Sequence, residues 1–226
     1  MKNQYFGDIN DYRKYHLLRL LTGEGGLTLG ICWMLTQDDG RTDGKFIQYL
    51  KTPETRRTYD PPLYDFLQQT LLIEKTRAVQ AIQSSSIITA TWWDRLLLDD
   101  STARKIYFAD MYQAFTGQDL LFFDPDNGIE VKSRPPGKKD SSKYIYWHEL
   151  RSAWFKNFSL LVYQHFPRVN RRDFLERMVC QIKEKLPGSV IECFQTSYMV
   201  YFLVVQPRHQ EEIKNCIHRI NQAWNL

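Results

Sequence analysis

Apolar residues follow two alternating patterns along the chain, continuous runs and helical spacing. Continuous apolar runs that are rich in β-forming residues predict strands buried on both faces. The predicted strands span residues 27–36, 119–124, 158–166, 189–195 and 199–206. Thr196-Ser197-Tyr198 lies between the last two strands and predicts a hairpin turn.

Helical spacing fills most of the remaining chain, and start and stop signals set the helix limits. Asp60-Pro61 predicts an N-cap followed by a first-turn proline, and Ser101 predicts a second N-cap. The predicted helices span residues 11–21, 60 to about 82, 101 to just before Gly117, 147–156, 171–186 and a last segment that carries Ile213, Ile217, Ile220 and Trp224.

Strands that alternate with helices predict a parallel sheet. The expected fold class is therefore α/β: a Rossmann-like, mostly parallel sheet with a C-terminal antiparallel hairpin, in three αβα layers. A length of 226 residues fits one large domain. We expect a single domain over residues 1–226, with a helical insertion at about residues 60–115.

Composition narrows the functional classes. Hydrophobic residues make up 43% and charged residues 25% of the chain, which argues against disorder. No apolar run is long enough to cross a bilayer, and the N-terminal residues lack the apolar core of a signal peptide. The four cysteines lie in apolar stretches without zinc-site spacing, so we expect buried thiols. These features predict a cytoplasmic protein with no membrane partner.

The candidate catalytic residues lie mainly in the loop D-P-D-N-G-I-E, which follows the predicted strand at residues 119–124. Ligands of open parallel sheets bind outside the carboxyl ends of the strands, where this loop is expected. Three carboxylates, Asp124, Asp126 and Glu130, lie there with Pro125 and with Asn127, which opens a tight turn. His165 ends another predicted strand at the same edge and is a candidate general base or phosphate contact, or a structural histidine.

Cations surround this expected centre. They are Lys132, Arg134, Lys138, Lys139 and Lys143 on one loop and Arg168, Arg171 and Arg172 on another. Lysine and arginine neutralise backbone phosphates without reading sequence, so the pattern predicts a rim that binds DNA or RNA. An alternative is that the arginines begin a solvated helix.

Residues 119–206 resemble the second half of a class I S-adenosylmethionine-dependent methyltransferase. That half has a strand ending in a catalytic loop, then a helix, a strand, a helix and a terminal hairpin. In the amino-methylating branch the loop reads Asp/Asn-Pro-Pro-Tyr/Phe, and its first residue accepts a hydrogen bond from the target amine. Asp124 and Pro125 match this loop, whereas Asp126 replaces a proline and Asn127 replaces the aromatic residue.

The beginning of the chain, F-G-D-I-N-D-Y-R-K-Y-H-L-L, resembles the cofactor-side segment of adenine methyltransferases. That resemblance implies cofactor contacts from Asp8 and Lys14, and from the loop with Asp38, Asp39, Gly40 and Asp43. The usual glycine-rich turn D-x-F-x-G-x-G is absent from this loop. The chain also resembles bacterial proteins that share Y-F-G-D and D-P-D-N-G-x-E.

Three functions stay open at this point. The first is S-adenosylmethionine-dependent methylation of a nucleic-acid amino group. The second is a magnesium-dependent nuclease, because Asp126, Glu130 and Lys132 resemble a Pro-Asp…Glu-x-Lys pattern with a shortened gap. The third is a non-catalytic nucleic-acid-binding protein on a degenerate methyltransferase fold. No resident metal is expected from the acids Asp38, Asp39 and Asp43, because the closing glutamate of a calcium loop is missing.

Overall fold

The computed structural model describes residues 1–23, 27–40, 44 and 46–223. The strands are β1 (Leu29–Cys32), β2 (Thr91–Trp93), β3 (Leu120–Phe123), β4 (Gly128–Ile129), β5 (Tyr144–Ile145), β6 (Ser159–His165), β7 (Val190–Gln195) and β8 (Met199–Val205). The α-helices are α1 (Ile9–Thr22), α2 (Pro53–Arg56), α3 (Pro61–Gln68), α4 (Gln80–Gln83), α5 (Ser101–Ala114), α6 (Trp147–Phe155), α7 (Arg171–Lys185) and α8 (Gln210–Ala223).

Six strands form the main sheet in the order β2-β1-β3-β6-β8-β7. Strands β2, β1, β3 and β6 run parallel, and β8 runs antiparallel to both of its neighbours. The expected α/β class, the mostly parallel sheet and the C-terminal antiparallel hairpin are therefore confirmed. Side chains on both faces of the central strands are buried, which is consistent with three αβα layers.

The chain forms two compact units. The sheet unit comprises Met1, Leu27–Thr36 and Thr91–Glu211, and the helical unit comprises Lys2–Gly26, Gln37–Ala90 and Glu212–Leu226. The expected insertion at about residues 60–115 is divided between the units, because residues 60–90 belong to the helical unit and residues 91–115 to the sheet unit.

The core of the sheet unit lies where three helices cover one face of the sheet. Helices α5, α6 and α7 contribute Phe108, Met111, Leu150, Trp154, Phe174, Met178 and Ile182, which join Leu121, Phe123, Leu160, Val162 and Phe202 from the strands. Burial of each large apolar side chain contributes about 1.5–3 kcal/mol. This core fixes the strand ends that carry the candidate site.

The helical unit is held together by aromatic and ionic contacts. The Tyr12 ring stacks on Tyr49 with centroids 5.3 Å apart and meets the edge of Tyr64 at 6.2 Å. Asp60 caps α3 by accepting from the Leu63 amide, as its sequence predicts, and it also contacts His16 at 3.0 Å.

Three local predictions are wrong. The helix expected from Asp60 to about Ile82 ends at Ile73, and Lys75 takes a left-handed φ of 56° that an α-helix does not accommodate. Helix α5 is capped by Asp100, whose side chain accepts from the Ala103 amide, and not by Ser101. Cys180 is exposed because it lies on the face of α7 opposite Met178, and Cys193 is half-buried.

Candidate functional site

The D-P-D-N-G loop lies at the point where the strand order of the sheet reverses. From β1 the chain passes to β2 on one side, and β3 then pairs on the other side of β1. Crevices beyond the carboxyl ends of two such strands are where open α/β sheets bind ligands. Asp124 follows β3 directly, so the predicted loop lies at this edge of the sheet.

Asp124 is buried at the start of the loop, with 3% of its surface exposed. Its amide donates to the Cys32 carbonyl over 3.1 Å and so extends the pairing of β1 with β3. Its own carbonyl accepts a hydrogen bond from the α-ammonium group of Met1 over 2.9 Å. The backbone at Asp124 is therefore fixed from both sides.

Asp126 completes a small site around the Met1 ammonium. One carboxylate oxygen lies 2.7 Å from the Met1 nitrogen, and the other accepts from the Thr36 hydroxyl over 2.9 Å. The Met34 carbonyl also accepts from this nitrogen, over 3.3 Å. Met34 takes a left-handed φ of 45°, an uncommon conformation for a residue other than glycine. Two carbonyls and a carboxylate thus converge on one ammonium at the ends of β1 and β3.

Gln164 ties the loop to β6. Its carboxamide oxygen accepts from the Ile129 amide over 2.8 Å, and its nitrogen donates to the carbonyls of Asn127 and His165. The His165 amide also donates to the Asn127 carbonyl over 3.1 Å. The His165 side chain is exposed, and its Nδ1 lies 3.0 Å from the Phe166 carbonyl.

Glu130 has a structural partner. Its Oε2 accepts from the Trp147 amide over 2.7 Å at the beginning of α6, and its own amide donates to the Ile145 carbonyl. A carboxylate at a helix N-terminus also interacts favourably with the helix dipole. The two short strands β4 and β5 pair in parallel beside it, so the loop returns towards α6 in a defined path.

Most residues of the predicted cationic rim are exposed. Strands β3 and β6 are parallel neighbours, so the loops that follow them leave from the same edge. Lys132, Arg134, Lys138, Lys139, Arg168, Arg171 and Arg172 are exposed. Lys143 pairs with Asp140 over 2.8 Å, and Arg172 pairs with Glu176 over 2.9 Å.

The predicted cofactor residues Asp8 and Lys14 belong to a buried cluster of the helical unit. The Asp8 carboxylate caps α1 by accepting from the amides of Asn10 and Asp11. The Lys14 ammonium lies 2.6 Å from the Asp11 carboxylate, which also accepts from the Gly7 amide over 2.9 Å. These contacts hold the beginning of α1 in place.

Burial, followed by the neighbouring Asp11 carboxylate, raises the pKa of Asp8 from 3.8 to about 7. Because the folded protein holds this proton more tightly than the unfolded chain does, the free energy of unfolding falls as the pH rises from about 4 to about 7. Asp8→Asn keeps an N-cap of similar strength and removes this titration. We expect chemical unfolding across this range to show a weaker pH dependence in the variant. An equal change of the free energy of unfolding with pH in both proteins would contradict the raised pKa of Asp8.

The expected cofactor loop of the helical unit is engaged with the beginning of the chain. Asp39 lies 2.8 Å from the Lys2 ammonium and accepts from the Gln4 side chain, and Asp38 accepts from the Gln4 amide. Gly40 is exposed and takes a φ of 69°. The prediction for Asp43 lies outside the described residues.

Four residues of this arrangement were missed from the sequence: Met1, Met34, Thr36 and Gln164. Gln164 carried a usable signal, because it is a polar residue within the apolar run S-L-L-V-Y-Q-H. Met1 and Thr36 carried none, because their contacts with Asp126 join residues that are far apart along the chain.

Nowhere in the part of the chain that the structure describes do three His, Cys, Asp or Glu side chains gather as metal ligands would. Every helix within residues 1–23, 27–40, 44 and 46–223 is too short or too polar to cross a bilayer. Comparison of the chain with protein-family models, with curated proteins and with solved structures finds no match.

Proposed function

We propose that the chain is an S-adenosylmethionine-dependent methyltransferase that acts on an amino group of DNA or RNA. The observation that carries the proposal is the position of Asp124-Pro125. These two residues follow β3 at the reversal point of the sheet, in a chain order that continues through a helix, a strand, a helix and a terminal hairpin. This order is the one implied by the methyltransferase resemblance.

The acceptor groups at the reversal point fit the ammonium group of the proposed cofactor. S-adenosylmethionine carries the α-ammonium group of a methionine, and the structure holds such a group against the carbonyls of Met34 and Asp124 and the carboxylate of Asp126. These three groups would hold the cofactor's ammonium after displacing that of Met1. Roles for Asp8, Lys14, Asp38, Asp39, Gly40 and Asp43 remain expectations from the resemblance.

The cofactor supplies the methyl group, and the residues of the chain orient the acceptor. The Asp124 carboxylate, with the Pro125 carbonyl beside it, would accept hydrogen bonds from the target amine and direct its lone pair. The exposed lysines and arginines would hold the phosphate backbone.

The nuclease alternative has less support from the geometry. One of its two proposed metal ligands is engaged by the fold, since the Glu130 carboxylate accepts from the Trp147 amide at the beginning of α6. The non-catalytic alternative predicts salt-sensitive binding of nucleic acid without a response to the cofactor.

Binding of the cofactor is the first test. We expect S-adenosylmethionine or S-adenosylhomocysteine to raise the unfolding temperature, since a ligand at 100 times its Kd stabilises the folded state by about 2.7 kcal/mol. Asp126→Asn should reduce this shift, whereas Asp110→Asn, at an exposed pair with Arg95, should not. Unchanged unfolding of the parent protein with saturating cofactor would reject the methyltransferase proposal.

Transfer from labelled S-adenosylmethionine to mixed oligonucleotides is the second test. Asp124→Ala is expected to abolish transfer, whereas Asp124→Asn should retain part of it, because an amide oxygen also accepts from the target amine. Circular dichroism of both variants monitors folding. Loss of transfer in Asp124→Asn at unchanged stability, or full transfer in Asp124→Ala, would contradict the role given to Asp124.

A further inference from the structure

A cavity of 730 Å³ lies beside the D-P-D-N-G loop, at the carboxyl end of β6. Its walls come from the end of β6, from the segment that leads into α7 and from the turn between β7 and β8. The lining residues that matter here are His165, Arg168, Val169, Arg171 and Tyr198. A cavity of this size accommodates a small organic group.

The cavity walls are held by hydrogen bonds and by a ring contact. The Phe166 amide donates to the Tyr198 carbonyl over 2.9 Å, and the Thr196 amide donates to the Met199 carbonyl over 2.8 Å. The Arg171 guanidinium donates to the Ser197 carbonyl and lies 5.2 Å from the centre of the Phe166 ring. The turn, the strand end and the helix start therefore form one fixed frame.

The exposed chemistry of this frame is aromatic and cationic. Tyr198 is 63% exposed at the tip of the turn, although tyrosine usually buries most of its ring. Among the described residues that line the cavity there are two arginines and neither an aspartate nor a glutamate. An exposed ring beside cations is the combination that binds single-stranded nucleic acid, because the ring stacks a base and the cations neutralise phosphates.

The cavity and the D-P-D-N-G loop share β6. The His165 amide donates to the Asn127 carbonyl over 3.1 Å, and the His165 side chain lines the cavity. A single-stranded nucleic acid that passes the cavity would therefore reach the end of β3 within a few nucleotides. We infer that the cavity receives one unpaired nucleotide of a single-stranded DNA or RNA, with its base on Tyr198 and a phosphate at Arg168.

This inference rests on the proposed function only for the identity of the neighbouring target nucleotide. Binding is measured by fluorescence anisotropy, without cofactor, on a labelled single-stranded oligonucleotide and on the duplex of the same sequence. We expect tighter binding of the single strand. Tyr198→Ala should weaken that binding about 5- to 150-fold, the range for loss of one stacked base, and Tyr198→Phe should preserve it.

Arg168→Ala supplies an independent readout. It should reduce the slope of log affinity against log salt by about 0.7, because one phosphate contact is lost. Arg95→Ala, an exposed arginine paired with Asp110, serves as the matched control. Thermal unfolding of each variant identifies any that fails to fold.

Three results would overturn the inference: equal affinity for the duplex, unchanged affinity in a folded Tyr198→Ala variant, or binding of a phosphopeptide in place of the oligonucleotide. The two proposals fail separately. Oligonucleotide binding that depends on Tyr198, without a response to S-adenosylmethionine, removes the methyltransferase and keeps the cavity assignment. A cofactor response without oligonucleotide binding removes the cavity assignment alone.

Discussion

Replacement of Arg104 with alanine is expected to lower the free energy of unfolding by about 3–5 kcal/mol. Arg104 and Glu149 are only 2% and 3% exposed, and they form two hydrogen bonds of 2.6 and 2.9 Å. The same guanidinium donates to the carbonyls of Ser141 and Tyr144. Its removal leaves the Glu149 carboxylate buried without its cation and leaves two carbonyls without this donor.

Urea unfolding followed by tryptophan fluorescence measures this effect. Arg95→Ala is the control, because its pair with Asp110 is exposed and should contribute less than about 1 kcal/mol, and its cation–π contact with the Trp93 ring should add about 0.5–1 kcal/mol. Arg104→Met combined with Glu149→Leu should recover the part of the loss that comes from the unpaired Glu149 charge, but not the part that comes from the carbonyls of Ser141 and Tyr144. A cost of Arg104→Ala as small as that of Arg95→Ala would show that the buried pair is not a main support of α5 and α6.

Replacement of Gly128 with alanine is expected to destabilise the protein by about 2–6 kcal/mol, the sum of backbone strain and overpacking. Gly128 takes a φ of 123°, a region that other residues rarely adopt. An added Cβ would also lie 2.4 Å from the Gln164 carboxamide, which holds Ile129 and Asn127 in place. The loop that carries Asp124 would therefore lose the side-chain hydrogen bonds that Gln164 makes with it, and the backbone bond from His165 to Asn127 would still join it to β6.

Hydrogen exchange reports this change locally. The amides of Ile129 and His165 should exchange faster in Gly128→Ala, because their acceptors shift. Gly117→Ala is the matched control, with a φ of 87° but open space around the added Cβ, so it should cost only about 1–2 kcal/mol. Gly128→Ala combined with Gln164→Ala should relieve the clash and keep the strain. Equal stability of Gly128→Ala and Gly117→Ala would contradict the close approach of Gln164.

Strands β1, β3, β6 and β8 were predictable because they are largely buried on both faces and therefore appear as apolar runs. Strand β7 was also predicted, although it is only half-buried. Strand β2 was not predicted, because its three residues lie in the segment expected to be a helical insertion. Strands β3 and β6 lie within the predicted residues 119–124 and 158–166. The pair β4 and β5 was not predictable, because each strand has only two residues, too few to show an alternation of apolar and polar positions.

The edge of the sheet that carries the candidate site was predictable from the order of strands and helices. The hydrogen bonds and ion pairs at that edge were not predictable. Asp126 and Glu130 read in the sequence as two similar carboxylates, yet one contacts an ammonium and the other caps a helix. Both assignments depend on contacts between segments that only the folded chain brings together, so local patterns carry no information about them.

The position of β8 has a consequence for synthesis of the chain. This strand lies between β6 and β7 in the sheet, although it comes after both in the sequence. A nascent chain that has emerged only as far as β7 presents the β8-facing edge of β6 with unpaired amides and carbonyls, and such edges readily pair with other chains. Residues 199–205 must emerge from the ribosome before the sheet can be completed. The interval of greatest aggregation risk therefore lies between the emergence of β6 and the emergence of β8.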